Sequence, residues 1–261
     1  MTGQVICAQD GPVARLTFDN PGKLNAVSLA MWEQLAQHCA TLARDGAVRV
    51  VVLQGAGERA FVSGADISEF GEARTGEDAV ARYNAAVATA EQALAALPMP
   101  TVAAIRGYCI GGGLSIALRC DLRIAAADAR FAIPAARLGL GYGAEGIAVL
   151  ARLVGPSVAA EMLFTARRFA AEEALRVGLA SRVVPTEDWA GAVEETAATI
   201  AGNAPLTLRA AKAALQDLAR PEAERDTERL AALVRACYDS ADYREGKAAF
   251  AEKRPPMFRG H

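Results

Sequence analysis

A chain of 261 residues is long enough to bury a substantial core, as one large domain or two small ones. Its 28 basic and 30 acidic side chains leave a net charge of −2, which excludes the broad basic field of a nucleic-acid binder. No apolar run approaches the roughly 18 to 20 residues that span a bilayer, and Met1-Thr2-Gly3-Gln4 lacks a charged segment followed by an apolar one, so a soluble cytoplasmic protein with no membrane partner is expected.

Along the chain, residues 13–18 and 48–53 are predicted strands. Between them, Leu29, Trp32, Leu35, Cys39 and Leu42 fall at helical spacing, which predicts a helix over 28–44 with Ser28 as its N-cap. A second helix, 78–97, is expected to end at Pro98-Met99-Pro100, where the proline ring blocks continuation. Residues 102–105, 122–125 and 130–133 read as short strands. The recurrence of strand, turn and helix without a long linker makes residues 1–200 one α/β core, and the helical patterns at 206–218, 225–238 and 241–253 make 201–261 a helical region.

Two glycine-bearing turns stand out: Phe61-Val62-Ser63-Gly64-Ala65-Asp66-Ile67, and Gly107-Tyr108-Cys109-Ile110-Gly111-Gly112-Gly113 leading into the apolar stretch 114–120. Each offers a free backbone N–H to an anionic oxygen, and without Cβ atoms a substrate can lie against the second. Two donors aimed at one oxygen make an oxyanion hole. Gly141-Tyr142-Gly143-Ala144-Glu145-Gly146 also fits the spacing of a dinucleotide fingerprint, but Pro134-Ala135-Ala136-Arg137 precedes it where a strand is required, and the next acid, Glu161, lies in a helical pattern. With His38 and His261 the only histidines, one on an amphipathic helix and one at the last position, a histidine triad or multi-histidine metal site is not expected, and no metal is expected. Cys7, Cys39, Cys109, Cys120 and Cys237 are odd in number, widely spaced and set among apolar residues, as buried free thiols would be.

The two turns, with Pro100-Thr101-Val102-Ala103-Ala104-Ile105 before the second and Cys120-Asp121 after it, closely resemble the crotonase (enoyl-CoA hydratase/isomerase) family, and the resemblance runs to Tyr243-Arg244-Glu245-Gly246-Lys247-Ala248-Ala249-Phe250. It implies a spiral of repeated ββα units followed by a C-terminal helical trimerisation region, and a homotrimer or dimer of trimers. It implies an acyl-CoA substrate, CoA entering only as part of the thioester, with no permanently bound cofactor. The oxyanion donors carried over are the amides of Ala65 and Gly112. Lys23, Leu24, Ala26, Ala65, Asp66 and Ile67 fall in CoA-contact segments, with Asp66 expected to serve loop geometry. Phe250 and Lys253 match an aromatic and a lysine that contact the CoA adenine and phosphates, often across a subunit boundary. Residues 71–84 are expected to line the acyl tunnel.

The chain departs from this pattern where hydratases carry their two glutamates: Ser115 follows the triple glycine at the first position, and Ala135 follows Phe131-Ala132-Ile133-Pro134 at the second. Hydration or isomerisation by those carboxylates is therefore not expected to be fast, because serine is a weak base without an activating partner and alanine has no proton to exchange. Tyr142, similar to a tyrosine of methylmalonyl-CoA decarboxylase-like members, and Glu145, two residues beyond a catalytic aspartate position of dienoyl-CoA isomerases, are the candidate proton-handling residues, with Ser115 as a hydrogen bonder. Alternatives are a decarboxylase of a malonyl-type CoA thioester and a non-catalytic acyl-CoA binding protein.

Overall fold

From the third strand to the eighth, successive strands alternate between two sheets, and this alternation organises the core. The computed structural model describes residues 3–66, 68 and 77–261. Strands β1 (Gln4–Asp10) and β2 (Val13–Asp19) form an antiparallel hairpin. Beside it lie β3 (Val50–Gly55), β5 (Thr101–Ile105), β7 (Leu122–Ala126) and β10 (Arg182–Val184), all in parallel, completing a sheet of order β1-β2-β3-β5-β7-β10. The strands skipped in that order, β4 (Ala60–Val62), β6 (Tyr108–Ile110) and β8 (Arg130–Ala132), build a smaller parallel sheet closed by antiparallel β9 (Phe169–Ala170).

Helix α1 (Leu29–Leu42) follows the hairpin. Thereafter one strand from each sheet is followed by a helix: β3-β4 by α2 (Glu77–Ala95), β5-β6 by α3 (Gly112–Leu118), and β7-β8 by α4 (Ala135–Leu138). This is a mixed α/β spiral of ββα units, as the resemblance implies. Helices α5 (Ala144–Val154), α6 (Pro156–Thr165), α7 (Ala171–Arg176) and α8 (Trp189–Gly202) precede α9 (Pro205–Leu218), α10 (Thr227–Asp239) and α11 (Ala241–Glu252).

The unbroken Val50-Val51-Val52-Leu53 run is buried on both faces, as a covered parallel sheet requires. Val51 and Leu53 enter the main core with Phe18, Trp32, Leu94 and Leu114, while Val50 and Val52 join Val102, Ala104 and Ile124 against Val193, Ala197 and Ala201 of α8. Ser28 caps α1 by accepting from the Met31 amide at 3.2 Å. Helix α9 is tied to the main sheet through Lys212, whose buried ammonium donates to the Met99 carbonyl (2.9 Å) and to Asp121 (2.8 Å). No helix among the described residues is long and apolar enough to cross a membrane.

Several local expectations need correction. The strand expected at 48–53 runs from Val50 to Gly55. Strand β1 carries no apolar alternation because Val5 alone of its seven residues is buried; it is held by its pairing with β2. The two glycine turns each begin with a three-residue strand, β4 and β6, too short for any periodicity to register. The five cysteines are free, but Cys7 is exposed and Cys237 half-buried, because β1 and α10 each present a face to solvent.

Candidate active site

The parallel pairing of β4 with β6 brings the turn that follows each strand to the same edge of the small sheet. Glycine is required at the contact. A Cβ on Gly113 would lie 2.3 Å from the Val62 carbonyl oxygen, so no other residue lets α3 start so close to β4. A Cβ on Gly112 would lie 3.8 Å from the Ala65 nitrogen and 3.3 Å from the Trp32 ring, which puts the two turns face to face beside the indole.

The peptides flanking this point are pinned. The Val27 amide donates to Gly64 O (2.8 Å), the Asp66 amide to Val27 O (2.9 Å), and the Gly111 amide to Ala132 O (2.8 Å). The Ala65 amide points away from that ladder and the Gly112 amide opens α3, so among the described residues neither has a partner. Two unpaired donors on rigid supports therefore border one small space.

The segment 23–26 forms the adjoining wall. Asn25, in the left-handed region at φ 59°, is buried and donates to Ala56 O and Ala60 O, both at 2.9 Å, while its Oδ1 accepts from the Asn20 amide at 3.3 Å. Leu24 O accepts from the Ser63 amide and Ala26 is buried beneath. Lys23 Nζ donates to Asp66 Oδ2 and Ser68 Oγ, each at 2.7 Å, and Ser68 donates from both its hydroxyl and its amide to Asp66 Oδ1. Burial works to raise the Asp66 pKa, but the hydrogen bonds from Lys23 and Ser68 outweigh it and hold the carboxyl below its ordinary value. Asp66 is thus tied into the loop. Ile67 and residues 71–76 of the expected tunnel wall lie outside the described residues.

One turn further along α3 a polar cluster is set in apolar surroundings. The Ser115 hydroxyl donates to Oε1 of Glu91, a carboxylate from α2 that is 8% exposed. Oε2 of the same carboxylate accepts from Arg119 Nε (3.1 Å) and Nη2 (2.8 Å). The Tyr142 hydroxyl is buried beside Ser115 but outside hydrogen-bonding geometry, without a partner among the described residues. Burial pushes its pKa up to about 12 against the opposing influence of Ser115, so at neutral pH the phenol is a donor and not a base. Glu145, in the first turn of α5, is largely exposed and approaches Arg119 at 3.8 Å. What precedes Gly141 is α4 and a loop, not a strand, so the dinucleotide spacing has no structural counterpart. No group of three metal-ligating side chains exists among the described residues.

The family model for enoyl-CoA hydratase/isomerase matches residues 8–261. The chain belongs to the enoyl-CoA hydratase/isomerase family. It is 34% identical to a short-chain-enoyl-CoA hydratase of Clostridium acetobutylicum, covering 96% of this chain and 95% of that one, and 36% identical to a carnitinyl-CoA dehydratase of Proteus mirabilis, covering 96% of each. Among solved structures, an enoyl-CoA hydratase/carnithine racemase from Magnetospirillum magneticum superimposes with a TM-score of 0.92 at 35% identity, over 98% of this chain and 96% of that one.

Within this family fold, Ser115 sits one helical turn beyond Gly112, and Ala135 begins α4. Phe250 is 88% exposed near the end of α11 and Lys253 follows in the left-handed conformation at φ 53°, so neither folds back onto its own core. Glu91 escaped the sequence reading. Its signal is an acid on an apolar stripe: Tyr83, Val87, Ala90 and Leu94 share the inward face of α2 with it.

Proposed function

We propose that this enzyme, which acts on an acyl-CoA thioester as its family does, binds the thioester oxygen between the amides of Ala65 and Gly112 and stabilises the enolate that develops there. The observation that carries the reading is the pair of unpartnered amides facing one space, each fixed by bonded neighbours. As a proton leaves Cα, or as a carboxylate leaves as CO₂, negative charge moves to the thioester oxygen. Donors already in place stabilise it without reorganising.

The reaction is an isomerase- or lyase-type step on an enoyl or related thioester. Tyr142, protonated and unpartnered, favours hydrogen-bond donation to the substrate or to an attacking water, and the same donor would serve a departing carboxylate in the decarboxylase reading. A panel of enoyl-, dienoyl-, carnitinyl- and malonyl-type CoA thioesters, with products identified by mass spectrometry, tests it. Double-bond migration or water addition supports the hydratase/isomerase reading, and CO₂ release with negligible water addition replaces it with decarboxylation. Tight binding with no turnover of any member makes the chain a binding protein.

A further inference from the structure

The two carboxylates expected of a hydratase are absent, yet a carboxylate stands behind Ser115, delivered by a different helix. We propose that Ser115 and Glu91 form the proton relay of this site, with Ser115 as the group that meets the substrate's Cα proton and Glu91 as the positioning residue that accepts the serine's own proton. The inference rests on the enolate reading above and deepens it.

Three observations carry it. Residues three apart share a helix face and side chains lean toward the helix N-terminus, so Ser115 is directed toward the Gly112 end of α3, where the two amides meet. The serine's proton is committed to Glu91, so its Oγ faces the site as an acceptor, with the Tyr142 phenol beside it. Arg119 holds Oε2 with two N–H groups and thereby fixes the rotamer that offers Oε1 to the serine. The groups facing this pair are Arg119 from α3, Glu145 from α5, Tyr142 before α5, and Cys109 from β6.

In the forward step the Cα–H bond breaks and its electron pair becomes the enolate, with the charge on the thioester oxygen. The proton forms a bond to Ser115 Oγ while the serine's proton passes to Glu91 Oε1. Arg119 remains bonded to Oε2. Reversal returns a proton to carbon, so the site ends each cycle unchanged.

Exchange of the Cα protons of butyryl-CoA for deuterium, followed by mass spectrometry in D₂O, reads this step without requiring the full reaction. The unsubstituted protein is expected to exchange. Ser115→Ala and Glu91→Gln should each slow exchange about 100-fold at saturating butyryl-CoA with little change in KM, and the pair together no more than either alone. Ser115→Thr should recover most of what Ser115→Ala loses. Circular dichroism confirms folding, and Ser115→Ala leaves the Glu91–Arg119 pair intact should Glu91→Gln fail to fold. Exchange at the unsubstituted rate in Ser115→Ala overturns the relay, as do multiplicative losses in the double variant or no exchange by the unsubstituted protein. Gly112→Pro in the same assay separates the two ideas: loss there with none in Ser115→Ala leaves the oxyanion reading standing and removes the relay alone.

Discussion

The first turn of α3 and the turn after it solve different problems with different parts of the chain. The Ala65–Gly112 face is made of backbone, fixed by Gly113 and by bonded peptides on either side. The Ser115 cluster is made of side chains: Glu91 on α2, Ser115 on α3, Arg119 at its C-cap, and Tyr142. A backbone donor survives side-chain substitution. A side-chain cluster can be exchanged residue by residue, and here its carboxylate, Glu91, comes from α2. The contrast teaches that one short helix can present backbone donors at its first turn and a side-chain cluster one turn later on the same face.

The contrast breaks first at Gly112. Gly112→Pro removes one donor while proline remains acceptable at the first helical position, so kcat should fall about 10²- to 10³-fold, roughly 2.7–4 kcal/mol, with a lower melting temperature because the added Cβ meets the Trp32 ring at 3.3 Å. Unaltered turnover in that variant would end the role given to the hole. Arg119→Met should act chiefly on stability. Leaving the buried Glu91 carboxylate without its cation is expected to lower unfolding stability by about 3 kcal/mol in urea titrations, while affinity for a CoA thioester changes little.

A subtler test concerns the wall next to the hole. Asp66 has a depressed folded-state pKa, so its contribution to stability is present above the ordinary value of 3.8 and is lost as pH falls through the lower folded value. The melting temperature of Asp66→Asn should therefore lie below that of the unsubstituted protein at neutral pH, with the gap closing on acidification below about pH 4. A gap that persists at low pH would mean the asparagine disturbs packing and not charge. The smallest effect is expected at Lys23. It is half exposed, so Lys23→Ala should cost less than about 1 kcal/mol of stability, while raising KM for CoA thioesters a few-fold if this ammonium also meets the cofactor moiety.

The two glycine turns were legible because their requirement is local. Gly113 must be glycine to approach Val62, and Gly111 adopts φ 52°, so the triple glycine marks its own geometry. Ser28 likewise declared the start of α1 through its capping hydroxyl. The small sheet was less visible, since strands of three residues show no period and are defined by partners as distant as Ala60 and Tyr108. Tyr142 and Glu145 were both named from sequence, but their difference was not: burial isolates the phenol, while the glutamate stands in solvent.

The sequence by itself determined the family, the order of most strands and helices, and the two turns that carry unpaired amides, because backbone conformation near glycine and the period of apolar side chains depend on close neighbours in the chain. Only the tertiary structure decided that a glutamate 24 positions before Ser115 lies against its hydroxyl. That contact depends on how α2 settles against α3, a packing outcome of the whole core that no local spacing encodes.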